Sequence, residues 1–227
     1  MIHHLPAAVT PAVVDDERVL FTVDASTLRA AVNAVTLAAS TDQARPLLTG
    51  VLVDTCADGV RLVACDSYRL HVVTITTERV AIGEPFAPVN IPAGDLVRIV
   101  KGTPRVRRGD TEPAVRFVLE TGGRSVRIDT ITPDGASTAQ VRLLEGDYPQ
   151  WEQLFPPDRD GFPLEESEPV AWNPAYLADI CAAAKAIGAD WVKLARLVDN
   201  RKPTLFTAHG VDTGCDLLAL VMPIRLP

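Results

Sequence analysis

The 227-residue chain carries 22 Lys and Arg against 29 Asp and Glu, a formal net charge of −7. That balance excludes a protein that grips nucleic-acid phosphates over its whole surface, and leaves room for one whose basic residues share a single face. With 47% hydrophobic and 22% charged residues, the make-up is that of an ordinary globular protein, enough for one large domain or two small ones.

No apolar run is long enough to span a bilayer, and the first residues lack the basic, apolar, small-residue succession of a signal peptide, so the cytoplasm is the expected compartment. Cys56, Cys65, Cys181 and Cys215 form no C-x-x-C pair and have no histidine at zinc-ligand spacing. They read as small apolar residues, and no metal or cofactor is expected. His3 and His4 lie in a terminal segment.

Residues 1–17 read as a flexible leader. From Phe21 a short apolar strand runs into a helix that Asp24 or Ser26 caps with a side-chain oxygen. Leu28, Ala31, Val32, Val35 and Ala39 recur at helical spacing on one face. Period-two alternation follows: Leu48 to Val53 and Val60 to Val73 read as strands, the second interrupted near Asp66 and Ser67. A second strand-to-helix junction begins at Val89, with Pro92 at the helix start, Leu96, Ile99 and Val100 on the face, and Gly102 as the stop. Val115 to Leu119 and Ser125 to Thr132 then predict a hairpin around Gly122 and Gly123. Residues 156–163 are dense in proline and charge, and the spacing predicts a linker over 157–168. The third junction opens at Val170. Asn173 caps the helix, Pro174 takes its first turn, Leu177, Ile180, Cys181 and Ile187 form the face, and Gly188 ends it. Trp191 to Leu197, Pro203 to Ala208 and the strongly apolar Leu217 to Ile224 read as strands.

The segments opening at Phe21, Val89 and Val170 align, at offsets of 68 and 81 residues. Each places a helix-start residue fourth and a leucine eighth, so a unit of strand, helix and several strands occurs three times. This predicts an α+β fold of antiparallel sheets with helices on one face. Residues 18–156 hold two units and 169–227 the third.

Four segments carry a family resemblance. Residues 45–52, Arg-Pro-Leu-Leu-Thr-Gly-Val-Leu, resemble the strand entry of the middle domain of the bacterial DNA polymerase III beta subunit, the DNA sliding clamp. Residues 63–70, Val-Ala-Cys-Asp-Ser-Tyr-Arg-Leu, resemble that domain's V-A-T-D-S-Y-R-L segment, with Cys65 in place of threonine. Residues 144–151, Leu-Glu-Gly-Asp-Tyr-Pro-Gln-Trp, running on to Pro156, are similar to its close. Residues 221–226, Val-Met-Pro-Ile-Arg-Leu, resemble the family's terminal V-M-P-x-R-L. They stand in the family's order over nearly the whole chain after residue 18.

The resemblance implies a sliding-clamp fold, with sheets outside and helices inside a ring, and a non-enzymatic processivity factor that encircles duplex DNA without reading its sequence. DNA polymerase, clamp loader and repair proteins would dock through short peptides in a cleft. Carried over by position, Leu48, Cys65, Ser67, Tyr68, Arg69, Leu70 and Pro156 form one wall, and Leu220, Met222, Pro223, Ile224 and Arg225 the other. Met222 is a deformable lining suited to several partners. The DNA-facing set is Arg29, Arg98, Lys101, Arg105, Arg107, Arg108 and Lys185. Three units are one and a half of the family's domains, an expected shortened clamp of a size that suits a bacteriophage. An odd unit leaves sheet edges for another copy, so a homo-oligomeric ring is expected. Four copies would match the family's helix count.

Two other readings compete. Asp66, Ser67 and His71 could be imagined as a nucleophile set, but no G-x-S-x-G, P-loop or Rossmann context surrounds them. A clamp-derived decoy or regulator would keep the peptide cleft and form no ring.

Overall fold

The structure, a computed structural model, describes residues 18–83, 86–105, 110–155, 170–196 and 202–224. The leader over 1–17 and the linker over 157–168 lie outside the described residues. The first unit runs β1 (Arg18–Asp24), α1 (Ala25–Val35), β2 (Gly50–Cys56), β3 (Gly59–Cys65), β4 (Arg69–Thr76) and the short β5 (Val80–Ile82). The second runs β6 (Val89–Pro92), α2 (Ala93–Gly102), β7 (Ala114–Leu119), β8 (Ser125–Thr132) and β9 (Gly135–Arg142). The third runs α3 (Pro174–Ala186), β10 (Lys193–Arg196), β11 (Thr204–Gly210) and β12 (Cys215–Val221). The fold is α+β, and the pairings among the described strands are antiparallel.

Two sheets form, ordered β5-β1-β7-β8-β9 and β10-β11-β12-β4-β3-β2-β6. Each of the first two units lends its opening strand to the other. β1 pairs with β7, and β6 pairs with β2. The third unit joins along β4, where β12 pairs from Cys215 opposite Ile75 to Val221 opposite Arg69. Because side chains alternate across a strand, β4 serves two cores. Val73 and Ile75 face the helices, with Leu28, Val32 and Ile180. Leu70 and Val72 face the opposite side, with Val63, Trp151 and Leu220.

The helices pack side by side, α1 touching both α2 and α3 as well as the sheets. This is why α1 is buried nearly all round, through Leu28, Val32 and Val35 and through Ala30, Ala31 and Ala34. Alanines on α1, and Ala183 and Ala184 on α3, are small enough for close helix packing.

The helix starts separate expectation from outcome. Asn173 caps α3 as expected, its Oδ1 accepting from the Ala175 N–H at 2.9 Å. Asp24 stands at the cap of α1 without a side-chain cap bond. The Glu112 carboxylate accepts from the Ser26 N–H instead, at 2.7 Å, and the Pro113 carbonyl from the Ala25 N–H. Leu48 and Thr49, expected to open a strand, belong to a 3-10 turn over Pro46–Thr49, and β2 starts at Gly50. β12 stops at Val221 rather than Ile224, because Pro223 has no N–H for the ladder. The edge strand β9 was not anticipated; Gly-Ala-Ser-Thr-Ala-Gln lacks the apolar alternation that marks a strand.

Candidate functional site

After β9 the chain crosses back over the outer face of the seven-stranded sheet, the face turned away from the helices. Tyr148, Trp151 and Phe155 pack there on Leu52, Val63, Leu70 and Leu220. Trp151 and Phe155 meet edge to face at 5.9 Å. The Arg61 guanidinium lies 5.0 Å above the Trp151 ring and donates to Asp54 at 2.6 Å and Glu152 at 2.8 Å. The cation–π contact and the bond to Glu152 thus fasten the crossing segment to β3, and the bond to Asp54 ties β3 to β2.

Where this segment approaches the ends of β4 and β12, a trough of about 200 Å³ opens. Its floor is Leu48, Cys65, Leu70 and Leu220. Its rim is Tyr68, Leu154 and Met222, large apolar residues left exposed at 59%, 53% and 36%. Apolar rim residues over an apolar floor are the chemistry of a surface that takes apolar side chains from a partner.

The turn between β3 and β4 shapes one end. The Asp66 carboxylate accepts from the Tyr68 and Arg69 N–H groups at 2.9 and 3.0 Å, an Asx turn that sends Tyr68 outward. Ser67 takes φ +82°, the left-handed region in which a side chain is strained by about 1 kcal/mol. Arg45 donates to Ser67 Oγ at 2.6 Å and, through Nε, to Asp42 at 3.0 Å. On the floor the Tyr148 hydroxyl donates to Cys65 Sγ at 3.7 Å. Sulfur accepts where a threonine hydroxyl stands in the similar motif. Burial pushes both the Cys65 thiol and the Tyr148 phenol above their ordinary pKa values, so both stay neutral.

The family described as "DNA polymerase III beta subunit, central domain" matches residues 22–150. The chain belongs to this family. Among its relatives, the beta sliding clamp of Streptomyces coelicolor is 31% identical over 173 residues, covering 74% of this chain and 43% of the relative. The beta sliding clamp homolog GriR of Streptomyces muensis is 24% identical over 281 residues, covering 99% and 71%. The crystal structure of the Bacillus subtilis DNA polymerase sliding clamp superposes with a TM-score of 0.67 at 18% identity, covering 99% of this chain and 67% of that one. The chain therefore shares the sliding-clamp fold and spans less than half the length of the Streptomyces coelicolor relative.

Of the positions carried over from the clamp family, Leu48, Cys65, Ser67, Tyr68, Arg69, Leu70, Leu220 and Met222 meet around the trough. Pro223 and Ile224 do not line it. The Ile224 N–H donates to the Ala171 carbonyl at 2.7 Å, turning the end of the chain toward the start of the third unit. Pro156 and Arg225 lie outside the described residues. Arg69 lines the trough with its charge already engaged. Its Nε donates to Asp66 at 2.9 Å, another guanidinium nitrogen donates to Asp179 on α3, and its plane lies 4.7 Å from the Tyr176 ring centre. Pro149, Leu154 and Pro203 complete the lining and were missed. The first two stand in or beside the segment similar to the family's close; nothing in the sequence points to Pro203.

On the helical side, the residues expected to face DNA differ in what engages them. Arg29 donates to the carbonyls of Val100, Thr103 and Pro104 at 3.2, 2.9 and 3.4 Å, satisfying the open end of α2. Its charge complements the helix dipole there and is not free on the surface. Arg98, Lys101 and Arg105 are exposed on or just beyond α2, with Arg98 bonded to Asp95 at 2.7 Å. Lys185 is exposed on α3, whose other exposed residues are Pro174, Ala175, Ala178, Cys181 and Ala182. Arg107 and Arg108 lie outside the described residues.

The imagined nucleophile set comes apart. His71 is fully buried on the helix side of β4, with Nδ1 2.9 Å from the Ala34 carbonyl. A carbonyl only accepts, so Nδ1 carries the proton and the ring is neutral. Burial lowers its pKa to about 4. Ser67 Oγ, on the trough side, is engaged by Arg45.

Proposed function

We propose that this chain acts as a DNA sliding clamp. It forms a homo-oligomeric ring around duplex DNA and tethers DNA polymerase, clamp loader and repair proteins by their short peptides. It carries out no chemistry of its own, and it works in the cytoplasm, that of the host cell if a bacteriophage encodes it. The observation that carries the reading is the trough. Three pieces far apart in sequence, the β3–β4 turn, the crossing segment and the end of β12, converge to make it, and each lies in a segment similar to the clamp family's. Apolar anchors of a peptide would bury there, each contributing about 1.5–3 kcal/mol before ordering costs. The ring has support in the outer strands β9 and β10, which end their sheets without a further partner strand among the described residues.

The test is mass by light scattering together with retention on closed circular DNA against linear DNA. A ring gives a multimeric mass and slides off linear DNA only. Arg98→Glu with Lys101→Glu should shorten retention while the fold persists, as both side chains are exposed. A strictly monomeric protein at micromolar concentration sinks the ring. A second reading, a clamp-derived regulator that takes partner peptides without encircling DNA, draws on one observation. The exposed face of α3 carries small neutral residues and a single lysine. A monomer that still binds peptide is its signature.

A further inference from the structure

The trough has a neighbour of different chemistry. The crossing segment forms a ridge on the outer face of the sheet. On its other side, toward β2 and β6, lies a cavity of about 710 Å³. Pro149 lines both concavities, so the two are contiguous across one residue. The walls of the larger one carry Asp54, Asp147 and Glu152, and no lysine or arginine among the described residues lines it. Arg61, behind the wall, offsets part of that charge through its bonds to Asp54 and Glu152. Three carboxylates against one guanidinium leave the cavity negative, in a concave site where a field is stronger than on open surface.

A second, independent feature points to a donor. Asn90 lines the cavity and is 4% exposed. Its Nδ2 donates to the Leu47 carbonyl at 2.9 Å, and its Oδ1 accepts from no group among the described residues. A buried amide oxygen without a partner is costly, and an entering N–H would satisfy it. Gly50 lies directly beside that oxygen; a Cβ there would stand 2.0 Å from it.

We propose that this cavity receives a lysine or arginine side chain of the partner peptide, carried over the Pro149 ridge from the apolar anchors in the trough. The inference rests on the trough being the peptide site. It makes the pair of concavities a composite reader: the trough takes apolar side chains, and the cavity selects peptides flanked on one side by positive charge. Asp147 and Glu152, both exposed, meet the incoming cation at the mouth, and Asn90 takes a donor hydrogen within.

The test uses the full chain and labelled synthetic peptides followed by fluorescence anisotropy. The core probe carries two leucines and a phenylalanine. It is compared with versions extended by a lysine triplet at one end, at the other end, or by a glutamate triplet at each. The expected result is a gain of roughly fivefold in affinity for lysines at one end only, weakened by salt. Asp147→Asn should cut that gain and leave the core probe's affinity unchanged. Arg61 keeps both Asp54 and Glu152 in this variant, so the crossing segment stays fastened. Equal gains from lysines at both ends, surviving in the variant, would reflect the acidic surface as a whole and overturn the proposal while the trough stands. A core probe that fails to bind would overturn the trough reading and the inference with it.

Discussion

Replacing Arg69 by methionine separates its role as a brace from its expected role as a contact for partners. The side chain is 13% exposed, between Asp66 at 16% and Asp179 at 32%, and is stacked on Tyr176. Methionine keeps the stem and removes the charge, leaving two carboxylates that face each other's field without a cation. Breaking a fully buried pair costs about 3–5 kcal/mol and an exposed pair less than about 1. The intermediate burial of this triad places Arg69→Met at about 2–3 kcal/mol. For a chain of this size that is a fall of roughly 5–10 °C in Tm. Arg69→Lys should lie between, since one ammonium keeps the charge and loses the fork that spans both carboxylates. Urea and thermal unfolding followed by circular dichroism measure the loss, and calorimetry with the apolar core peptide measures binding. Most of the effect should fall on stability, because the brace ties α3 to β4 and the guanidinium has little left to offer a ligand. An unfolding midpoint equal to wild type, combined with lost peptide binding, would refute the brace and restore Arg69 as a contact.

Removal of residues 222–227 should abolish binding of the core peptide while the fold persists, since it deletes the Met222 rim and the Met222 N–H bond to the Tyr68 carbonyl at 2.8 Å. Met222→Ala alone should weaken binding by a smaller factor, and equal affinity of full-length and truncated protein in calorimetry would place the peptide elsewhere. His71 has a folded pKa of about 4 against 6.5 for the free ring. Between those values the unfolded chain takes up a proton that the folded chain refuses. Its contribution is therefore complete above about pH 6.5 and is lost as pH falls toward 4, by about 3 kcal/mol in total. His71→Leu should flatten that part of the stability profile, and identical pH slopes of the urea midpoint in the two proteins would rule His71 out as the source.

The parts of the fold legible in sequence are those governed by neighbours a few residues away. Asn173 and Pro174 start α3 because a cap and a first-turn proline act within one turn. The alternation in β4 assigns Leu70 and Val72 to one core and Val73 and Ile75 to the other because a strand's period is two. The trough's floor was legible by another route: its residues were carried over by position from short segments that resemble the clamp family. What escaped depends on partners that no local pattern announces. Arg29 looks like any surface arginine of a helix until its guanidinium is found at carbonyls more than 70 positions away. Arg69 finds Asp179 at a separation of 110. Ser26 is capped by a glutamate 86 residues on.

These long-range pairs decide which cations remain available to a ligand, and so reshape both candidate surfaces. On the outer face, Arg61 and Arg69 are consumed as braces, which leaves the trough apolar and the cavity beside it acidic. On the helical face, Arg29 is consumed by α2, while α1 presents Ser26 and Asn33 and α3 presents small neutral residues and Lys185. The exposed cations on the described helical side are therefore Arg98, paired with Asp95, with Lys101 and Arg105 at α2, and Lys185 on α3. In the proposed ring so sparse a set makes few phosphate contacts with the duplex. The affinity of such a contact falls with salt only in proportion to the few phosphates it neutralises, and carries no base preference. Under that proposal retention comes from closure of the ring, which makes the mass of the assembly and its hold on circular DNA two readings of one property.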